Sequence, residues 1–432
     1  MSSVGLLQPI LGGGLRTTNF FNGRLLSAED LTSEQASNQQ ARARLARAIG
    51  DGIVFGLEVR PSASSTASVP SVTVQSGLAI NRLGHVLALD VPETGVAVTL
   101  VRPSPVGATQ LPTSAPFSDC LPPQPGVYVA GTLVYLLVLT PAAGAEGRLP
   151  VSGVANIPPT CNTRFSVEGV QFRLLQVDVR PEDLADTARS RNLAAHACFG
   201  TGDPKLQALR SDPFGGSGPA AGYGLLDELR DRGDLTDCDV PLGLLHWTAD
   251  VGIDFVDMWA ARRRLVRRGV TEQWPLVLDD RRAADAEATF LQFQAHLADL
   301  RASHPRPPVV AAGDVFRYLP PVGVLPVSGV GAPPSFDYAT FFGPPVVYRG
   351  PAFIEGARVE PLMREALMYA PIDLQSNPSI WLYRVRENAP LPTAAEAAPA
   401  PAPFIIFTSG HVPFQGQTRF DEARWDYGIF ES

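Results

Sequence analysis

The sequence predicts a β-rich α+β protein: an N-terminal helix, a β-sandwich or open-barrel body, a mixed middle region and a C-terminal α+β domain. Three observations carry this. Glycine and proline supply 39 and 41 of the 432 residues, well above average usage, and so demand many turns. Short apolar and β-branched runs recur between those turns from Ile53 onward, the spacing of strands in a sandwich or open barrel. Two long stretches carry helical signals, one behind Ser27 and one near residues 278–302.

The first helix is set by its caps. Ser27 and Asp30 form a capping box, Glu29 and Asp30 place negative charge in the first turn, and Gly50 follows a helix expected to reach about Ala48. Its apolar stripe (Leu31, Ala41, Leu45, Ala48) is narrow, which suits a helix lying across a surface or against a partner. Strands are expected over residues 53–60, 72–74, 78–80, 86–89, 96–100, 127–140 and 165–180, the first of them buried. A short helix over 184–197, a long loop over 200–224, a strand over 242–248 and a helix over 250–268 follow. The second long helix carries Phe290, Phe293, Leu297 and Leu300 on one face and is ended by the proline-rich stretch 304–308. Further on, strands are expected over 346–348, 357–359, 380–387 and 404–409, with a helix over 360–370. Residues 389–403, almost all Ala and Pro, form an extended loop between two paired strands. This gives four regions: 1–52 (arm and helix), 53–200 (β-rich), 201–334 (mixed, with the long helix) and 335–432 (α+β).

Charge narrows the function classes. The net charge of −8 offers no field to attract nucleic acid or anionic lipid. Lys205 is the only lysine, which excludes chemistry needing two. The N-terminus lacks a basic region ahead of its apolar stretch, and the longest apolar run, 127–140, is too short to span a bilayer, so no membrane insertion is expected. Four cysteines in so long a chain make no disulfide framework, and cytosolic synthesis with reduced thiols is the expectation.

Reactive constellations are few. Cys161, His196, Cys198, Cys238 and His246 are zinc-type ligands without the short paired spacing of a zinc site, which favours small buried apolar roles for the cysteines. Gly215-Gly216-Ser217-Gly218 lacks the last glycine of a nucleophile elbow, and Ser409-Gly410-His411 reads as a strand end and turn. Gly12–Gly14 precedes Leu15-Arg16 and is no phosphate loop. Asp250, Asp254 and Asp257 would share a face if their segment were helical, with the arginines that follow as the expected partners. Arg262, Arg263 and Arg264 in that run read as an intersubunit or interdomain ion-pair surface. The C-terminal aromatics Phe404, Phe407, Phe414, Phe420, Trp425, Tyr427 and Phe430 interleave with isoleucines, as in a core or subunit interface. Phe20, Phe21, Arg24 and Leu25 are the candidate anchoring segment, because an apolar pair ahead of a capped helix is costly to leave exposed. No cofactor is implied.

Several blocks resemble one family. They are NFFNGRLLSAEDL (19–31), GIVFGLEV (52–59), VQSGLAINRLGHVLAL (74–89), CNTRFSVEGVQFRL (161–174), RYLPPVGVLPV (317–327), IWLYRVREN (380–388), and FTSGH with RFDEARWDY (407–411 and 419–427). Together they are similar to baseplate-associated structural proteins of phage-tail-like contractile injection systems. That resemblance implies a non-enzymatic component at the baseplate periphery, in a cage, collar or fibre-like attachment. Its implied partners are other particle subunits and further copies of itself. It would be made and assembled in the cytoplasm, in a particle that is released or acts at the cell envelope. The alternatives are a glycan or cell-surface binding module on such a particle, and a zinc or serine hydrolase.

Overall fold

In the computed structural model, residues 15–100, 117, 120, 133–150, 161–212, 222–248, 250, 252–267, 280–303, 310–327, 336–344, 346–388 and 403–415 are described. Helix α1 (Ala28–Ile49) begins at the expected capping box: Ser27 accepts from the Asp30 amide and Asp30 accepts from the Ser27 amide. Only Ser37 and Ala46 of its 22 residues are buried.

Strands β1 (Gly52–Gly56) and β2 (Val59–Pro61) replace the single buried strand expected over 53–60. Gly56 and Leu57 take φ of +65° and +59°, and the chain turns there into a second sheet. A side chain on Gly56 would collide with the Ser76 carbonyl, so that corner requires glycine. Strands β3 (Ser71–Val74), β4 (Gly77–Ile80), β5 (Val86–Leu89) and β6 (Val96–Thr99) complete two three-stranded antiparallel sheets, β1-β4-β5 and β2-β3-β6.

Both small sheets face a larger one. It is built from β7 (Leu133–Pro150), β8 (Cys161–Val177), β9 (Val240–Thr248) and β10 (Gly252–Asp257) in the order β10-β9-β7-β8. Along β7, Tyr135, Leu137 and Leu139 pack toward the small sheets, while Val134, Leu136 and Val138 pack toward helices. That two-sided burial explains the unbroken apolar run. The body is thus layered, and no closed barrel occurs among the described residues.

The helices on the second face are α2 (Pro181–Ala185), α3 (Ser190–Cys198), α5 (Leu225–Asp231) and α6 (Met258–Ala261), while α4 (Pro204–Ser211) packs Leu206 against Tyr223 in a small cluster of its own. Two expectations are corrected here. The loop expected over 200–224 contains α4, capped by Asp203 with Pro204 at its first turn. The helix expected over 250–268 is mostly β10 and the short α6. Phe255, Val256 and Asp257 pair in register with His246, Leu245 and Leu244, so ladder pairing overrides the helical spacing of the carboxylates.

Helix α7 (Asp280–Ser303) bridges two cores. Ala288 packs with the helices of the body, whereas Phe293 and Leu297 enter the core of the C-terminal sheet. After α7 come α8 (Ala312–Val315), β11 (Tyr318–Leu319), β12 (Val322–Pro326), α9 (Tyr338–Phe342), β13 (Val347–Ile354), α10 (Val359–Leu367), β14 (Ile372–Asp373), β15 (Ser379–Val385) and β16 (Phe404–Ser409). The sheet order is β12-β16-β15-β13, with β13 and β15 parallel. The strand expected over 357–359 is a 3₁₀ turn leading into α10. Residues 304–308 and 389–402 lie outside the described residues.

The cysteine expectation is also corrected. Cys120 and Cys238, 118 positions apart, form a disulfide with 5.9 Å between their Cα atoms. A pairing made by the fold across so long a separation leaves no trace in cysteine spacing. Cys198 is free and buried.

Candidate assembly surface

Residues 15–27 fold back along the first half of α1 and are pinned there. The Ser37 hydroxyl donates to the Arg16 carbonyl, the Thr18 amide donates to Glu34 at 2.9 Å, and the Thr18 hydroxyl reaches the Asp30 carbonyl at 3.1 Å. Arg24 binds the Asn19 carbonyl and forms an ion pair with Asp30. The cap bonds from Ser27 hold the Asp30 carboxyl below its ordinary range, with Arg24 adding to the effect. Asp30 thereby fastens helix start and preceding segment together. This scaffold holds large apolar side chains in solvent: Phe20 is 57% exposed, Phe21 63%, Leu25 93% and Leu31 50%. Fixed, exposed and contiguous in sequence, they have the character of a docking patch. At the other end of α1, Leu45 and Ile49 share one exposed face, near in sequence to exposed Val54 and Phe55.

The second exposed feature is a ribbon. Strand β9 pairs with β7 only over Leu133–Leu139, whereas β7 and β8 remain paired from Val134–Val177 out to Pro150–Cys161. Beyond about residue 142 the two strands run on alone, and residues 144–149 and 162–169 are exposed on both faces.

The three arginines of the basic run turn inward or along α7. Arg262 is buried, lies over Trp259 and donates to the Gly56 carbonyl at 2.6 Å. Arg263 pairs with Asp285 at 2.5 Å and stacks on Phe199, while Arg264 pairs with Glu287 at 2.9 Å. Asp285 anchors a larger network, accepting from the Tyr223 hydroxyl and from Arg281. Burial alone would raise its carboxyl, yet Arg263 and Arg281 hold it low. Burial raises the Tyr223 hydroxyl. A cavity of about 110 Å³ beside this network is walled by Asp227, Asp285, Arg263 and Arg281, whose charges are already paired with one another.

The remaining candidates are dispersed. His196 bonds the Thr201 hydroxyl at 2.9 Å, and burial depresses its imidazole to about 3. His246 pairs with Asp254, Cys238 is in the disulfide, and burial pushes the Cys198 thiol up to about 12. Among the described residues no cluster of three or more His, Cys, Asp or Glu side chains is placed to hold a metal. Asp257 is consumed by Arg191 and Gln292, each at 2.8 Å, and by the Ala260 amide. The Ser409 hydroxyl accepts from the backbone amide of His411. Phe407 and Phe414 are core residues, while Phe420, Trp425, Tyr427 and Phe430 lie outside the described residues, as do Gly12–Gly14 and Ser217. Among the described residues no helix is long and apolar enough to cross a membrane. The ribbon was missed by sequence reasoning because its strand propensity is indistinguishable from that of the buried part of β8; only the end of the pairing with β9 separates them.

No protein-family model matches the chain, and no curated protein sequence matches it. Among solved structures, the chain is similar to one in the type VI secretion system TssK-TssF-TssG baseplate subcomplex determined by cryo-electron microscopy. Identity is 11%, the match covers 67% of this chain and 73% of that one, and the TM-score is 0.25. At that score neither fold nor function is transferred.

Proposed function

We propose that the chain is a non-enzymatic structural component of a phage-tail-like contractile injection system, set at the baseplate periphery in a cage, collar or fibre-like attachment. In this reading it is made and assembled in the cytoplasm and joins baseplate subunits and copies of itself. The particle it serves is released or acts at the cell envelope. One observation carries the reading: the block over 19–31, which resembles that family's opening motif, is also the segment that holds Phe20, Phe21 and Leu25 exposed on a pinned backbone. An apolar surface so fixed is complete only when a neighbour covers it. Phe20, Phe21, Arg24 and Leu25 are the assigned anchor.

The test is to tag the protein in its native host, recover it, and view the eluate by negative-stain electron microscopy. Sheathed, tail-like particles carrying the tag at one end are expected. A small free oligomer without any particle overturns the reading.

A further inference from the structure

Strand β8 is the end strand of its sheet, and among the described residues its only ladder partner is β7. Its outer half has no sheet behind it, since the ribbon is two-stranded there, and a two-stranded ribbon is marginal in water. A long free edge of this kind invites another strand.

The residues along that edge say which strand fits. From Asn162 the exposed sequence runs Thr163, Arg164, Phe165, Ser166, Val167, Glu168, Gly169. Read against itself in the antiparallel sense about Ser166, it is self-complementary. Arg164 of each copy falls opposite Glu168 of the other, and Phe165 of each falls opposite Val167. Strand alternation puts the Cβ atoms of both charged pairs on one face and those of both apolar pairs on the other. The Arg164 guanidinium, which in the single chain lies 4.8 Å from the centre of its own Phe165 ring, has to swing from that ring to Glu168 of the other copy when the two pair. No other register of two antiparallel copies sets Arg164 against Glu168, so the charges select one alignment. The β7 residues opposite Glu168 and Ser166 are Ala143 and Ala145, and Gly147 lies beside Arg164, all small enough to leave the pairs room. The β7 charges Glu146 and Arg148 lie opposite Phe165 and Thr163, on the other face.

We propose that the outer half of β8 is a dimerisation edge, through which two copies of this chain pair antiparallel about a two-fold axis at Ser166. The contact is isologous and closed: each copy gives the same strand, and the two four-stranded sheets become one sheet of eight. This deepens the self-association in the proposed function but is tested without any particle, so the two can fail separately.

The test uses the purified full chain in sedimentation or light-scattering measurements of mass. The wild-type chain, 46.1 kDa, is expected at twice that mass at micromolar concentration. Arg164→Glu alone and Glu168→Arg alone each set like charges opposite one another twice, and are expected to raise the dissociation constant about tenfold or more. Mixing those two variants restores opposite charges at both positions and restores the dimer as a heterodimer. The double swap Arg164→Glu/Glu168→Arg restores the homodimer. All changed side chains are exposed, and circular dichroism checks that each variant is folded. Ser166→Cys, its thiol on the axis, is expected to form an intermolecular disulfide under mild oxidation. A monomeric wild type overturns the proposal. So does a dimer indifferent to both single changes, or one whose weakened single variants fail to rescue each other on mixing.

Discussion

The seam along α7 and the surface formed by α1 and the β7–β8 ribbon treat the same residue types in opposite ways. At the seam, Asp257, Asp285, Arg191 and Arg263 are largely inside and paired with one another across elements. Asp257 has no exposed side chain and binds Arg191 from α3, Gln292 from α7 and the first turn of α6. Asn192 accepts from the Arg317 and Tyr318 amides and donates to the Tyr318 carbonyl, tying α3 to β11. At the outer surface, Phe20, Phe21, Leu25, Phe165 and Val167 stand in solvent. The lesson is a contrast of environments. Buried, directional polar bonds fix how the body and the C-terminal sheet meet, while the apolar groups of the outer surface stand uncovered, and it is to these that the proposed function gives an external contact.

The comparison breaks most visibly at Asp257. Asp257→Leu leaves the Arg191 guanidinium, 13% exposed, with only the solvent-facing Asp299, and strips acceptors from Gln292 and the Ala260 amide. The expected loss is about 3–5 kcal/mol of unfolding free energy, the cost of removing one partner of a buried pair. Urea denaturation measures it. A loss below about 1 kcal/mol would show that the seam is not what joins the two parts.

A smaller effect concerns pH. His296 lies on α7 one turn beyond Gln292, its ring against Phe316, and burial together with the Arg191 charge depresses it to about 3 from 6.5. Between those two values the unfolded chain holds a proton that the folded chain refuses, so stability falls as pH falls through that window. Each such histidine steepens the slope by up to about 1.4 kcal/mol per pH unit, and His196 acts in the same sense. His296→Leu is therefore expected to flatten the pH dependence of urea stability between about pH 5.5 and 4.5 by one proton's worth. An unchanged slope would mean that His296 takes up its proton while folded.

How much of this the sequence displays differs between the two regions. Local signals were readable: the box at Ser27 and Asp30, the Phe293–Leu297 face of α7, and the strand propensity of the apolar run that becomes the inner part of β7. Signals made by distant pairing were not. The spacing of Asp250, Asp254 and Asp257 imitates a helix until β9 is there to pair with it. Residues 53–60 read as one strand because nothing in Leu57 announces a positive φ. Asp285 could not be matched to Arg263 without α7 lying beside α6. Phe20, Phe21, Arg24 and Leu25 stand out in the sequence by chemistry alone, because their scaffold is local. Cys120 and Cys238 do not, because their meeting is a property of the whole fold.

The smallest expected effect on stability sharpens the contrast most. Phe20→Ala with Phe21→Ala removes two large apolar side chains that are already more than half exposed, so unfolding free energy should stay within about 0.5 kcal/mol of wild type. The hydrogen bonds that pin the segment run through Thr18, Asn19, Arg24 and Ser37 and are untouched by the change. If these phenylalanines serve an external contact, the variant should fold normally yet be lost from particles recovered through a tag on another particle subunit. The Asp257→Leu chain should behave in the opposite way, with its damage registered in denaturant before any question of assembly arises. A double alanine variant that unfolds several kcal/mol early would place Phe20 and Phe21 with the interior groups, and one incorporated at wild-type levels would remove them from the anchor. The two measurements, stability and incorporation, therefore separate a residue that builds the chain from one that attaches it.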